Sequence, residues 1–172
     1  MEFKRQSIRL RGYDYSSNGM YYITICTQDR EPLFGEIVSG ADLVSVCHLN
    51  GVGKMVVNIY NQVISSFPFI ESEKYIIMPN HIHCIVCIDK SARADTRSAP
   101  TITVSKIIQE FKSKTTVEYI KGVKSEIYPP FNKRIWQRNY YERIIRSEEE
   151  HLRIWQYIDE NPLKWKEDKY YL

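Results

Sequence analysis

No run of about eighteen apolar residues, the length a membrane helix needs, occurs in the 172-residue sequence. The opening segment MEFKRQSIRL lacks the apolar centre of a secretory signal. A cytoplasmic location is expected. A strong charge of one sign is missing too: 24 Lys and Arg oppose 21 Asp and Glu, a net +3. Cysteine is scarce, at four. Cys84 and Cys87 have C-x-x-C spacing but lie in the apolar run HCIVCI. In a strand they would point to opposite faces, and Ile85-Val86 supplies no turn for a metal knuckle. Buried, reduced thiols are expected instead. No internal repeat or linker divides the chain, so one domain over 1–172 is expected.

What is present is an ordinary globular composition, 43% hydrophobic and 26% charged. Basic residues cluster at Lys4, Arg5, Arg9 and Arg11, and again at Lys133, Arg134, Arg138, Arg143 and Arg146. Thirteen tyrosines accompany them. Cations interleaved with aromatics suit a single-stranded nucleic acid, through phosphate neutralisation and base stacking. They equally suit a solvated face above an aromatic core.

Residues 20–27, MYYITICT, read as a strand. FGEIV (34–38) and DLVSVC (42–47) suggest a hairpin around Ser39-Gly40. From about Asn50 to Phe67, Val52, Met55, Val56, Ile59, Val63 and Ile64 recur at helical spacing, and Pro68 ends the helix. Strands over 73–78 and 81–88 meet at the turn-favouring pair Pro79-Asn80. Residues 89–101 are polar and aperiodic, as in a mobile loop. A second helix over 102–120 turns Val104, Ile107, Ile108, Phe111 and Val117 inward. A last strand over 140–146 precedes a helix over 147–161. Ser147 and Glu150 form its S-x-x-E capping box, three glutamates favour its positive end, and Pro162 limits its length. This order implies an α+β fold, with helices mainly on one face of an antiparallel sheet. A ferredoxin-like arrangement is the simplest form.

Within YIIMPNHIHCIVCI, His81 and His83 stand at i and i+2 and so share a strand face. Two imidazoles roughly 6–7 Å apart along a strand can converge on one ion. They can equally be a hydrogen-bonded pair. Alternation assigns them to the face that leaves the core. On the last helix, Tyr157 and Asn161 stand at i and i+4, on one face. Tyr157 offers a phenol, or is a core tyrosine. Asn161 offers a carbonyl oxygen for a hard cation, or is a helix C-cap. Lys164 follows and could meet a phosphate. Tyr140 and Tyr141 are competing phenols.

MPNHIHCIV resembles the His-hydrophobic-His motif of the HUH single-strand nucleases. WQRNYYERIIRSEEEHLRIWQYIDENPLKW resembles the C-terminal signature of the REP-associated tyrosine transposases, relatives of the small insertion-sequence transposases. RLRGYDYSSNGMYYITICTQDREPLFGEI resembles their opening. The resemblance covers about residues 8–166. It implies an HUH nuclease architecture in which His81, His83 and Asn161 are metal ligands, for Mg2+ or Mn2+, and Tyr157 is the nucleophile. Tyr157 is preferred over Tyr140 and Tyr141 because it aligns with the family's Y-I-x-x-N-P pattern. The implied activity is that of a metal-dependent single-strand DNA endonuclease and strand transferase, acting through a 5′-phosphotyrosine on hairpin-containing DNA. A hairpin-binding module that no longer cuts is the alternative. Arg11, Arg138, Arg143, Arg146 and Lys164 are candidate DNA contacts. The family often has His where Arg143 stands. Its members include monomers and dimers, so a homodimer stays open. A histidine-triad phosphoesterase is disfavoured, since Ile85 stands where its third histidine would be.

Overall fold

A computed structural model describes residues 18–39, 45–89 and 102–171. Its elements are β1 (Gly19–Cys26), β2 (Gly35–Ser39), β3 (Ser45–Leu49), α1 (Gly51–Ser66), β4 (Ile70–Ile77), β5 (His81–Ile88), α2 (Val104–Lys124), β6 (Tyr141–Ile145) and α3 (Glu148–Glu160). Arg11, the turn at Gly40 and the loop expected over 89–101, from residue 90 on, lie outside the described residues. No described helix is long and apolar enough to cross a membrane.

Four strands form an antiparallel sheet in the order β4-β5-β1-β6, and β2 and β3 pair as a separate hairpin. The fold is α+β, as expected. Strand alternation divides the sheet residues between two faces. Tyr21, Ile23 and Ile25 of β1 join Ile82, Cys84, Val86 and Ile88 of β5 on one face. There they meet Val56, Ile59 and Val63 of α1 and Ile107, Ile108, Phe111 and Tyr119 of α2. On the other face, Tyr22, Ile85 and Ile145 meet Ile158 of α3. Two helices therefore share one face, and among the described α-helices α3 alone lies on the other.

Each of the three α-helices among the described residues begins on a side-chain cap. Asn50 Oδ1 accepts from Gly53 N at 2.9 Å, and Thr103 Oγ1 from Lys106 N at 3.2 Å. Ser147 Oγ accepts from Glu150 N at 3.2 Å. Glu150 does not close the box on Ser147. Its Oε2 reaches one residue further, to Arg146 N at 2.9 Å, while Oε1 takes Arg143 at 2.6 Å. The carboxylate thus ties the end of β6 to the start of α3.

Two expectations are corrected. Val117 is 49% exposed, and Thr115, Tyr119 and Gly122 are buried instead. The stripe runs 104, 107/108, 111, 115, 119 and 122, and Val117 stands about 200° around the helix from Thr115. Gly122 is needed in that stripe, because a Cβ there would lie 2.1 Å from the Tyr128 ring. Second, the face carrying His81 and His83 does not leave the core. Both histidines are 0% exposed, covered by α3 and the chain that follows it. The four cysteines are free, with Cys26 and Cys84 buried and Cys47 and Cys87 partly so.

Candidate active site

His81 and His83 open β5, immediately after the Met78–Asn80 turn. Their Nε2 atoms converge to 3.0 Å. The turn residue Asn80 does more than bend the chain. Its Nδ2 donates to the carbonyls of Arg30 at 3.1 Å and Tyr170 at 2.8 Å. That leaves Oδ1 facing His81 Nδ1 at 2.8 Å. An amide oxygen only accepts, so His81 Nδ1 carries the hydrogen and Nε2 presents a lone pair. His83 Nδ1 instead meets two hydroxyls of β1, Tyr22 at 2.8 Å and Thr24 at 2.9 Å. Hydroxyls donate or accept, so either tautomer of His83 is accommodated.

From the opposite side, α3 presents Tyr157 and Asn161 on one face, as the i, i+4 spacing predicts. The Tyr157 hydroxyl lies 3.4 Å from His83 Nε2 and donates to Asp168 Oδ2 at 3.1 Å. Asn161 is the helix C-cap by backbone position, but in right-handed geometry. Its side chain turns inward, and Nδ2 donates to the same Asp168 Oδ2 at 2.7 Å. Asn161 is 2% exposed, and its Oδ1 has no hydrogen-bond partner. The ring of Tyr170 packs 4.7 Å from that of His81, and Trp165 5.8 Å.

Burial dominates the electrostatics. It pushes His81 below the ordinary imidazole value, against the opposing pull of the Asp168 carboxylate and the Asn161 amide. It pushes His83 down as well, aided by His81 and Lys169. Both rings are neutral at neutral pH, the form that ligates metals. The Tyr157 phenol is pushed up, first by burial and then by the Asp168 charge. It holds its proton at neutral pH.

The donor set fits a divalent cation. Ligand atoms of His81, His83 and Asp168 lie within 4.8 Å of one another, the one such cluster among the described residues. A buried polar atom without a partner costs roughly 1–3 kcal/mol, and a cation would satisfy the orphaned carbonyl of Asn161. Two imidazoles, an amide oxygen and a carboxylate are ligands that Mn2+ and Mg2+ accept.

Beside Tyr157 opens a cleft of about 400 Å³. Arg143, Arg153, Lys164 and Lys169 line it, with Tyr22, Tyr141, Tyr157, Asn161, Glu167 and Asp168. Of the expected DNA contacts, Arg143 and Lys164 are there, paired with Glu150 and Glu160. Arg138 and Arg146 are exposed but do not line it. Of the competing phenols, Tyr141 lines the cleft, whereas Tyr140 lies by Ser105 and Lys112 of α2.

A family profile described as "Transposase IS200 like" matches residues 15–161. The chain belongs to that family. It is therefore a transposase by descent, in agreement with the resemblance carried by PNHIH and YIDENPLKW. It is 34% identical over 173 residues to an uncharacterized protein of Haemophilus influenzae, covering 98% of this chain and 93% of that one. Its fold matches that of a REP-associated tyrosine transposase bound to a REP hairpin. The TM-score is 0.58 at 20% identity, over 95% of this chain and 77% of that one. It also resembles a candidate transposase from Deinococcus radiodurans, with a TM-score of 0.50 at 17% identity, over 88% of this chain and 95% of that one.

The sequence pattern does not single out Tyr22, Thr24, Asn80, Asp168 or Lys169 as site residues. Thr24 opposes His83 across β1 and β5, so strand pairing is the signal, and it becomes visible only once the register is known. Asp168, in KEDKYY, carries no motif.

Proposed function

We propose that this transposase is a metal-dependent single-strand DNA endonuclease and strand transferase of the HUH type. It would work through a 5′-phosphotyrosine on hairpin-containing DNA. One observation carries the reading: the Tyr157 hydroxyl stands 3.4 Å from His83 Nε2, which converges with His81 Nε2, within a single chain.

His81, His83 and the Asn161 carbonyl would hold Mg2+ or Mn2+, with Asp168 in reach. A divalent ion bound there would supply Lewis-acid polarisation of a non-bridging phosphate oxygen. Tyr157 Oη attacks phosphorus, its O–H bond breaks, and the bond from phosphorus to the 3′-oxygen breaks in line. Asp168 Oδ2 is the nearer acceptor for the phenol proton, and the leaving 3′-oxygen takes its proton from solvent. The Oη–P ester preserves the phosphodiester linkage for a later 3′-hydroxyl to reclaim, which is strand transfer. The cations of the cleft would track phosphates, and Tyr141 would stack a base.

The test is a covalent adduct between the protein and single-stranded hairpin oligonucleotides in Mn2+. Wild type is expected to form it and Tyr157→Phe to form none. Hairpin binding by wild type without any adduct would instead favour the non-cutting module.

A further inference from the structure

We propose that Asp168 is a positioning residue that sets which end of the Asn161 amide faces the histidines, and thereby makes Asn161 a ligand. The inference rests on the metal-site reading above. An ionised carboxylate offers only acceptors. The amide end that meets Asp168 Oδ2 at 2.7 Å is therefore the NH2 end. The carbonyl end is turned away from it, buried and unpartnered. Only that end can ligate a cation.

Asp168 is itself well anchored. Its Oδ1 accepts from the backbone N–H of Tyr170 at 2.6 Å. Its Oδ2 also takes the Tyr157 hydroxyl at 3.1 Å. One oxygen thus ties the nucleophile and the ligand amide to a common point. An amide at position 168 would lose this selectivity. It could present its own NH2 to the Asn161 oxygen, leaving the Asn161 NH2 toward the imidazoles. Partners that orient a ligand are typically worth about 10–100-fold in metal affinity.

Direct ligation by Asp168 is the competing role, and a double-mutant cycle separates the two. A carboxylate at 161 has two equivalent oxygens and no end to orient. Mn2+ is titrated calorimetrically into the full chain as wild type, Asp168→Asn, Asn161→Asp and the double variant, with melting curves for each. Asp168→Asn is expected to weaken Mn2+ binding about 10–100-fold beside Asn161. Beside Asn161→Asp, the same change should cost less than about threefold. Equal losses in both backgrounds, or no loss in either, overturn the proposal. If Asp168→Asn fails to fold, Asp168→Ser runs the same cycle, and the same pair of outcomes supports or overturns the proposal. The metal-site reading fails separately, if His81→Ala/His83→Ala binds Mn2+ as tightly as wild type.

Discussion

The two faces of the sheet are built from the same strands and serve opposite ends. The face under α1 and α2 buries a continuous apolar core in which Tyr21, Ile23, Ile25, Phe34, Ile82 and Cys84 are all 0% exposed. Its alternating partners, one residue away, hold a small apolar patch around Ile85 and Ile158 and then two histidines, a threonine and a tyrosine hydroxyl. Buried apolar side chains stabilise by roughly 1.5–3 kcal/mol each, whereas a buried hydrogen bond nets only about 0.5–1.5 kcal/mol and an unpaired polar group costs stability. One face holds the molecule together. The other gathers the buried polar groups on which the proposed chemistry rests, and depends on its neighbour for rigidity.

Two substitutions and a change of pH can break that division of labour, and a third substitution serves as control. The largest effect is expected for Tyr157→Phe. It should abolish the DNA adduct while changing stability by less than about 1 kcal/mol, measured by gel shift and urea unfolding. A comparable loss of stability would place Tyr157 in the structural face. Phe111→Ala strikes the other side. It should lower unfolding free energy by about 3–5 kcal/mol and leave the Mn2+ affinity of the folded fraction unchanged. A changed affinity would show that the two faces are coupled through the strands.

Acid should weaken the metal-free protein through the chemical face. Below an ordinary imidazole pKa of 6.5, the unfolded chain's His81 and His83 take up protons. The folded chain's do not, because burial depresses both. Stability is therefore intact above pH 6.5 and falls as pH drops toward the folded values. For His81, held at about 4, the loss reaches up to about 2 kcal/mol by pH 5, and His83 acts in the same direction. Thermal melting against pH would show this, and the slope should flatten in His81→Ala/His83→Ala. An unchanged slope would assign the acid sensitivity elsewhere. The smallest effect belongs to neither face: Leu152→Gln, 60% exposed on α3, should stay within about 0.5 kcal/mol.

Much of this arrangement is legible in the residues. Apolar, β-branched and aromatic runs in MYYITICT and HIHCIVCI mark strands, helical spacing from about Asn50 marks α1, and Ser147 marks the start of α3. Spacing alone puts His81 with His83 and Tyr157 with Asn161, because i, i+2 on a strand and i, i+4 on a helix are short-range geometry. The same local reasoning errs at Val117, an apolar residue off the buried stripe. It also errs about the histidine face, since alternation cannot tell which of two faces a later helix will cover.

Local covalent geometry is enough to pair residues a few positions apart, and each half of the site is of that kind. Bringing the halves together is a long-range event: 74 residues separate Tyr157 from His83, and the contact exists because α3 docks where Ile158 finds Ile85 and Tyr22. Asp168 is the extreme case. Nothing in KEDKYY distinguishes it from any surface carboxylate. Tyr170, two residues on, is a local partner, but Tyr157 and Asn161 become its neighbours only when the chain beyond α3 folds back over the imidazoles, a path set by packing and not by any repeat in the sequence.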